Sequence, residues 1–140
     1  SGPELIEAIA NTVDQINQAG DLKIDFKHSE ETELDKEYQL NWYRIIQELI
    51  TNTLKHAEAK VIKIDLTGTA ESLQVIYQDD GVGLAKGEDL HSGLGIQNIE
   101  SRLNLMEGKL EFMQKESSGI CLQMISGIKP VITISEKASE

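Results

Sequence analysis

Four side chains between Gln47 and Ala57 have the types and spacing to handle a metal ion and a phosphate chain: Glu48, Asn52, Lys55 and His56. At about 100° per residue in an α-helix, separations of three and four make such residues neighbours on one arc. The carboxylate and the amide offer oxygen ligands to a hard cation. The ammonium and the imidazole attract phosphate oxygens. Trp42, Ile46, Leu49, Ile50, Thr53 and Ala57 fall on the opposite, apolar arc, the pattern of a helix docked on a core. An ordinary solvated helix face would look the same, and the stretch alone does not separate the two.

Two glycine-bearing turns lie downstream. Asp79-Asp80-Gly81-Val82-Gly83 ends a strand pattern in which Val75, Tyr77 and Asp79 share one face. A carboxylate among apolar residues needs a hydrogen-bond donor, because its desolvation is costly. The exocyclic amine of adenine is such a donor, whereas guanine places a carbonyl there and would be repelled. Gly81 and Gly83 let the backbone bend beneath a flat base, and Asp80 points the other way, toward solvent. Asp-Asp-Gly is equally a common turn. Gly93-Leu94-Gly95 then opens a helix at Ile96, where free amides and the helix dipole favour an anion. Glycines there also serve as hinges, and His91 and Ser92 read as residues of a lid.

These residues need elements to hold them. Pro3 opens a helix carrying Leu5, Ile6, Ile9, Val13 and Ile16, and Gly20 stops it. Leu22, Ile24 and Phe26 alternate as a half-buried strand, and Ser29 to Glu33 is an acidic loop. The long helix runs from about Asp35 to Ala59. Val61–Leu66 and Leu73–Asp79 form an antiparallel hairpin, followed by a polar loop from Leu84 to Ser92. A helix with Ile96, Ile99, Leu103 and Met106 on one stripe stops at Gly108. Strands at Leu110–Phe112 and Ile120–Ile125 follow, with a short edge strand at Val131–Ser135 and a frayed tail from Glu136. Three helices and about five strands predict an α+β fold: a two-layer α/β sandwich, its mixed and mostly antiparallel sheet covered by helices on one face.

One hundred and forty residues suit a single domain, 1–140, with 127–140 as a C-terminal extension. Ser1-Gly2-Pro3 reads as an expression remnant, so the chain is taken as a piece of a longer protein. A net charge of −11 argues against a nucleic-acid surface, but a nucleotide needs only local neutralisation. Lone Cys121 fits a reducing, cytoplasmic setting. No apolar run spans a bilayer, so no membrane contact is expected of this piece, and the isolated domain is expected to be a monomer.

In this order, a Glu-x-x-x-Asn helix, an Asp-x-Gly-x-Gly turn and a Gly-x-Gly before a helix resemble the ATP-binding catalytic domain of sensor histidine kinases. That domain shares its Bergerat-type nucleotide-binding fold with DNA gyrase, Hsp90 and MutL. Tyr43 to Glu48, Asn52, Lys55-His56-Ala57, Gly93-x-Gly95-Ile96 and Ile99-x-x-Arg102-Leu103 resemble the nitrate-sensor and membrane-fluidity-sensor subfamily. The resemblance implies ATP and Mg²⁺ as ligands. It makes Asn52 the metal ligand, Lys55 a phosphate contact, and Glu48 a carboxylate that orients metal-bound water or acts as a base. His56 would lie near the phosphates, Asp79 would read adenine, and Gly81 and Gly83 would form the turn beneath it. Gly93, Leu94, Gly95 and Ile96 would form the lid hinge and phosphate-facing helix start. Ile120 departs from the threonine common after the glycine at position 119. The implied acceptor is a histidine on a separate dimerisation domain, with a response regulator as the indirect partner. A nucleotide-binding module without transfer, an anti-sigma-factor-type serine kinase and a plain interaction domain stay open as alternatives.

Overall fold

Alternation of apolar residues builds the sheet. In the computed structural model, which describes residues 2–29, 33–82, 95–113 and 118–131, five strands lie in the order β1-β2-β3-β5-β4. They are β1 (Lys23–His28), β2 (Val61–Gly68), β3 (Leu73–Asp79), β4 (Lys109–Phe112) and β5 (Cys121–Ser126). β1 pairs with β2 in parallel, and every other pairing is antiparallel. The register lines up Phe26, Ile64, Tyr77, Leu122 and Phe112 across all five strands. Ile64, Tyr77 and Leu122 are buried. Alternate residues such as Lys63, Gln74, Gln78 and Gln123 face away from this core, as period two requires.

Among the described residues, three α-helices cover the apolar face: α1 (Gly2–Ala19), α2 (Lys36–Asn52) and α3 (Ile96–Asn104). Ile9, Trp42, Ile45, Ile96, Ile99 and Leu103 are their most deeply buried members. α2 starts where Asp35 accepts hydrogen bonds from the Glu37 and Tyr38 amides through Oδ2 at 3.0 and 3.4 Å. Trp42 then fixes its height over the sheet, donating from Nε1 to Ser126 Oγ at 2.8 Å. The Asn17 side chain ties α1 to the sheet edge by bonding both the N–H and the C=O of Ile24.

Most expected elements are present, with differences at helix ends. The expected helix to Ala59 is α-helical only to Asn52, and Thr53–Ala57 is π-helical. After α3, the left-handed residue is Glu107, with φ +54°, rather than Gly108. Gly108 is required by proximity instead: a Cβ there would lie 2.3 Å from the Ile125 carbonyl oxygen. The Leu84–Ser92 loop and residues 132–140 of the expected edge strand and tail lie outside the described residues, and Val131 is not in a strand.

Gly108→Ala should lower the unfolding free energy in urea by about 2 kcal/mol, since backbone must move to admit the methyl group. Gly20→Ala, left-handed at φ +88° but with nothing within 4 Å of the added carbon, should cost only about 1 kcal/mol. Burial pushes the Tyr77 phenol well above the ordinary tyrosine value of 10.0; the Asp79 charge acts the same way and the Thr53 hydrogen bond acts against it. A raised pKa in the fold means full stability below the unfolded value and loss above it. Unfolding free energy should therefore fall as pH rises past about 10, and this alkaline slope should be shallower in Tyr77→Phe.

Candidate functional site

The end of β3 carries a carboxylate into the core. Asp79 is 4% exposed and sits opposite Ile62 of β2. Its N–H donates to the Ile120 carbonyl at 3.0 Å. Its side chain is held from three directions: Oδ1 accepts the Gly81 N–H at 2.9 Å and the Ile120 N–H at 3.4 Å, and Oδ2 accepts the Thr53 hydroxyl at 3.3 Å. The chain entering β5 passes so close that a Cβ at residue 119 would lie 2.0 Å from the Asp79 carbonyl oxygen, and Gly119 has φ +106°. A glycine is needed there on both counts.

Asp80 is exposed, as its orientation predicts, but it is not merely solvated. Its Oδ1 accepts the Lys60 and Val61 N–H groups at 2.8 and 2.9 Å. These bonds fasten the segment leaving the long helix to the turn after β3.

Glu48 and Asn52, one turn apart on α2, are half-buried and point toward the start of α3. Gly95 precedes that helix with φ +69°, and a Cβ there would lie 2.3 Å from Glu48 Oε1 and 3.1 Å from Asn52 Nδ2. The structure thus brings Glu48, Asn52 and Gly95 together, with Ile96 fully buried beside them. Glu48 also borders a cleft of about 460 Å³ lined by residues of all three helices, Arg44 and Arg102 among them.

Beyond Asn52 the i→i+5 bonding of a π-helix widens the turn, so Lys55 and His56 do not follow the even α-helical step. Lys55 is exposed. Thr53 turns inward, 5% exposed, and hydrogen-bonds the Tyr77 hydroxyl as well as Asp79. The segment ends at Glu58, left-handed with φ +51°. The His56 side chain, Gly83, Gly93 and Leu94 lie outside the described residues.

The donor set suits a nucleotide with a magnesium ion. Glu48 and Asn52 carry side-chain oxygens of the kind that hard cations take. Among the described residues no cluster of three or more His, Cys, Asp or Glu could hold a metal unaided. Mg²⁺ commonly completes its shell with water and phosphate oxygens, so one or two protein ligands suffice. The left-handed Gly95 leaves room that a side chain would fill. Thr53 and Tyr77 are the residues that sequence reasoning placed in the core without a polar role. A signal for them existed: a hydroxyl on an otherwise buried face requires a hydrogen-bond partner.

Residues 37–127 match the family of histidine kinase-, DNA gyrase B- and HSP90-like ATPases. The sensor histidine kinase ComP of Bacillus subtilis is 35% identical over 88 residues, covering 61% of this chain and 11% of that protein. The kinase/phosphatase DegS of Brevibacillus brevis is 26% identical over 116 residues, covering 82% and 30%. The chain therefore spans less than a third of the length of either relative. Among solved structures, the histidine kinase AdeS of Acinetobacter baumannii superposes with a TM-score of 0.70 at 15% identity, over 91% of this chain and 65% of that one. The catalytic domain of histidine kinase ThkA superposes at 0.69 and 16% identity, over 91% and 95%. Among the described residues no helix is long and apolar enough to cross a membrane. The chain belongs to the histidine kinase-, DNA gyrase B- and HSP90-like ATPase family.

Proposed function

We propose that this chain is the catalytic half of a two-component sensor histidine kinase. It binds Mg-ATP and donates the γ-phosphoryl group to a histidine on a separate dimerisation domain, from which it passes to a response-regulator aspartate. The observation that carries this reading is the approach of Gly95 to Glu48 and Asn52, close to the buried Asp79 through the adjacent Thr53. Polar groups for a metal and its phosphates thus adjoin a carboxylate suited to an amine-bearing base.

In this reading Asp79 accepts the adenine 6-amine. Asn52 holds Mg²⁺, which when bound neutralises charge on the phosphate oxygens. Glu48 orients metal-bound water or takes a proton, and Lys55 and His56 meet the phosphates. Gly81 and Gly83 line the base turn, and Gly93, Leu94, Gly95 and Ile96 form the lid hinge and helix start. The bond from the γ-phosphorus to its bridging oxygen breaks, a phosphorus–nitrogen bond to the acceptor imidazole forms, and ADP leaves. Phosphoryl transfer demands chiefly positioning and charge neutralisation, which a domain without its own acceptor histidine can supply. The setting implied is cytoplasmic.

Titration calorimetry with ATP, with and without Mg²⁺, tests the site. Asp79→Asn should weaken ATP binding about tenfold or more, the range for a hydrogen bond to a charged acceptor. Asn52→Ala should abolish most of the gain in affinity that Mg²⁺ gives. ATP in hundredfold excess over its dissociation constant should stabilise the chain by about 2.7 kcal/mol. Given labelled ATP, the chain alone should form no stable phosphohistidine, and label should appear on an added histidine-bearing dimerisation domain. Unchanged nucleotide affinity in both variants would sink the site assignment.

A further inference from the structure

A short relay of hydroxyl groups runs from α2 to the carboxylate at the end of β3. Tyr77, 1% exposed, places its Oη 3.2 Å from the Leu49 carbonyl and within hydrogen-bond distance of Thr53 Oγ1. Thr53 Oγ1 in turn lies 3.3 Å from Asp79 Oδ2. The two hydroxyl hydrogens can serve only two of these three contacts. An ionised carboxylate only accepts, so Thr53 is the donor to Asp79. Thr53 then accepts from Tyr77, and the Leu49 carbonyl keeps its bond from the Thr53 N–H.

We propose that Thr53 and Tyr77 determine base specificity by fixing the plane of the Asp79 carboxylate. This rests on the reading above, in which Asp79 meets the purine. The Gly81 and Ile120 amides hold Oδ1, and Thr53 holds Oδ2. With both oxygens held, the carboxylate faces one position of the base edge. A 6-amino purine offers a donor at position 6 and an acceptor at N1. A 6-oxo purine reverses the pattern, with an acceptor at position 6 and a donor at N1. A carboxylate free to turn could follow the donor from one position to the next, and a carboxylate held at both oxygens cannot. Thr53 and Tyr77 are therefore positioning residues, acting on the base through Asp79.

The test is the ratio of affinities for ATP and for inosine triphosphate, its 6-oxo counterpart without a 2-amino group. Both are measured by calorimetry at one Mg²⁺ concentration on the 140-residue chain. Thr53→Val removes the hydroxyl while keeping the shape, and should reduce the preference for ATP about tenfold, the lower range for a hydrogen bond to a charged group. Thr53→Ser should keep the preference within about twofold, because the donor is retained. Tyr77→Phe, one step removed, should reduce it about threefold, as loss of a neutral hydrogen bond does. A merely structural role would lower the melting temperature and both affinities together, leaving the ratio unchanged. An unchanged ratio in Thr53→Val and Tyr77→Phe, with ATP binding still weakened by Asp79→Asn, overturns the relay and leaves the site reading intact. No effect of Asp79→Asn on ATP binding overturns both. If the valine variant does not fold, Thr53→Ala and Tyr77→Phe decide by the same ratio.

Discussion

A carboxylate held inside an apolar sheet face is the constraint on which the rest of the site depends. Moving an ionised carboxyl group out of water costs several kcal/mol unless it is fully hydrogen-bonded. Asp79 meets that cost with donors from three separate elements: the turn after β3 through Gly81, the start of β5 through Ile120, and the end of α2 through Thr53. A shift in any one of them removes a donor from the buried carboxylate. β3 lies between β2 and β5, so both of its edges are bonded and the residue at its end is delivered to a fixed point. Gly119 is left-handed and lacks a side chain because the chain entering β5 must pass directly over the Asp79 carbonyl.

The features legible in the sequence are those that repeat. Period-two alternation in Leu73–Asp79 put Val75, Tyr77 and Asp79 on one face, and all three are buried together. The spacing of Ile9, Val13, Trp42, Ile46 and Leu49 likewise marked faces that pack, because a face that must be buried has to recur at the period of its element. The pairing of Gly95 with Glu48 and Asn52 was foreseeable as chain order, though its proximity was not.

The features that were not legible depend on two distant segments meeting. A threonine and a tyrosine on apolar faces read as core residues, since each buries well. Their hydroxyls gain a role only when Thr53 is set opposite Tyr77, twenty-four positions away. Asp80 looked like a solvated turn residue because its partners, the Lys60 and Val61 amides, lie twenty and nineteen positions upstream. Gly108 was foreseen as a helix terminator, but the left-handed residue is Glu107, and the glycine answers to the Ile125 carbonyl. Even a correct residue can thus be chosen for a different reason, and close approach cannot be read from local pattern.

The junction at Asn52 shows how one helix can present side chains to two neighbours. Successive residues of an α-helix diverge by about 100°, so Asn52 can face the start of α3 while Thr53 faces the sheet. The change to π-helical bonding falls at this step. It leaves Glu48 and Asn52 in regular α-helix, where their mutual spacing is fixed, and widens the chain only beyond them. The wider segment is closed at both ends by β3 or its turn: Thr53 bonds Asp79, and Asp80 holds the Lys60 and Val61 amides. Those ties make the irregular turn a fixed part of the site. Glu48 and Asn52 thereby draw their geometry from helix packing, and Asp79 draws its geometry from the sheet.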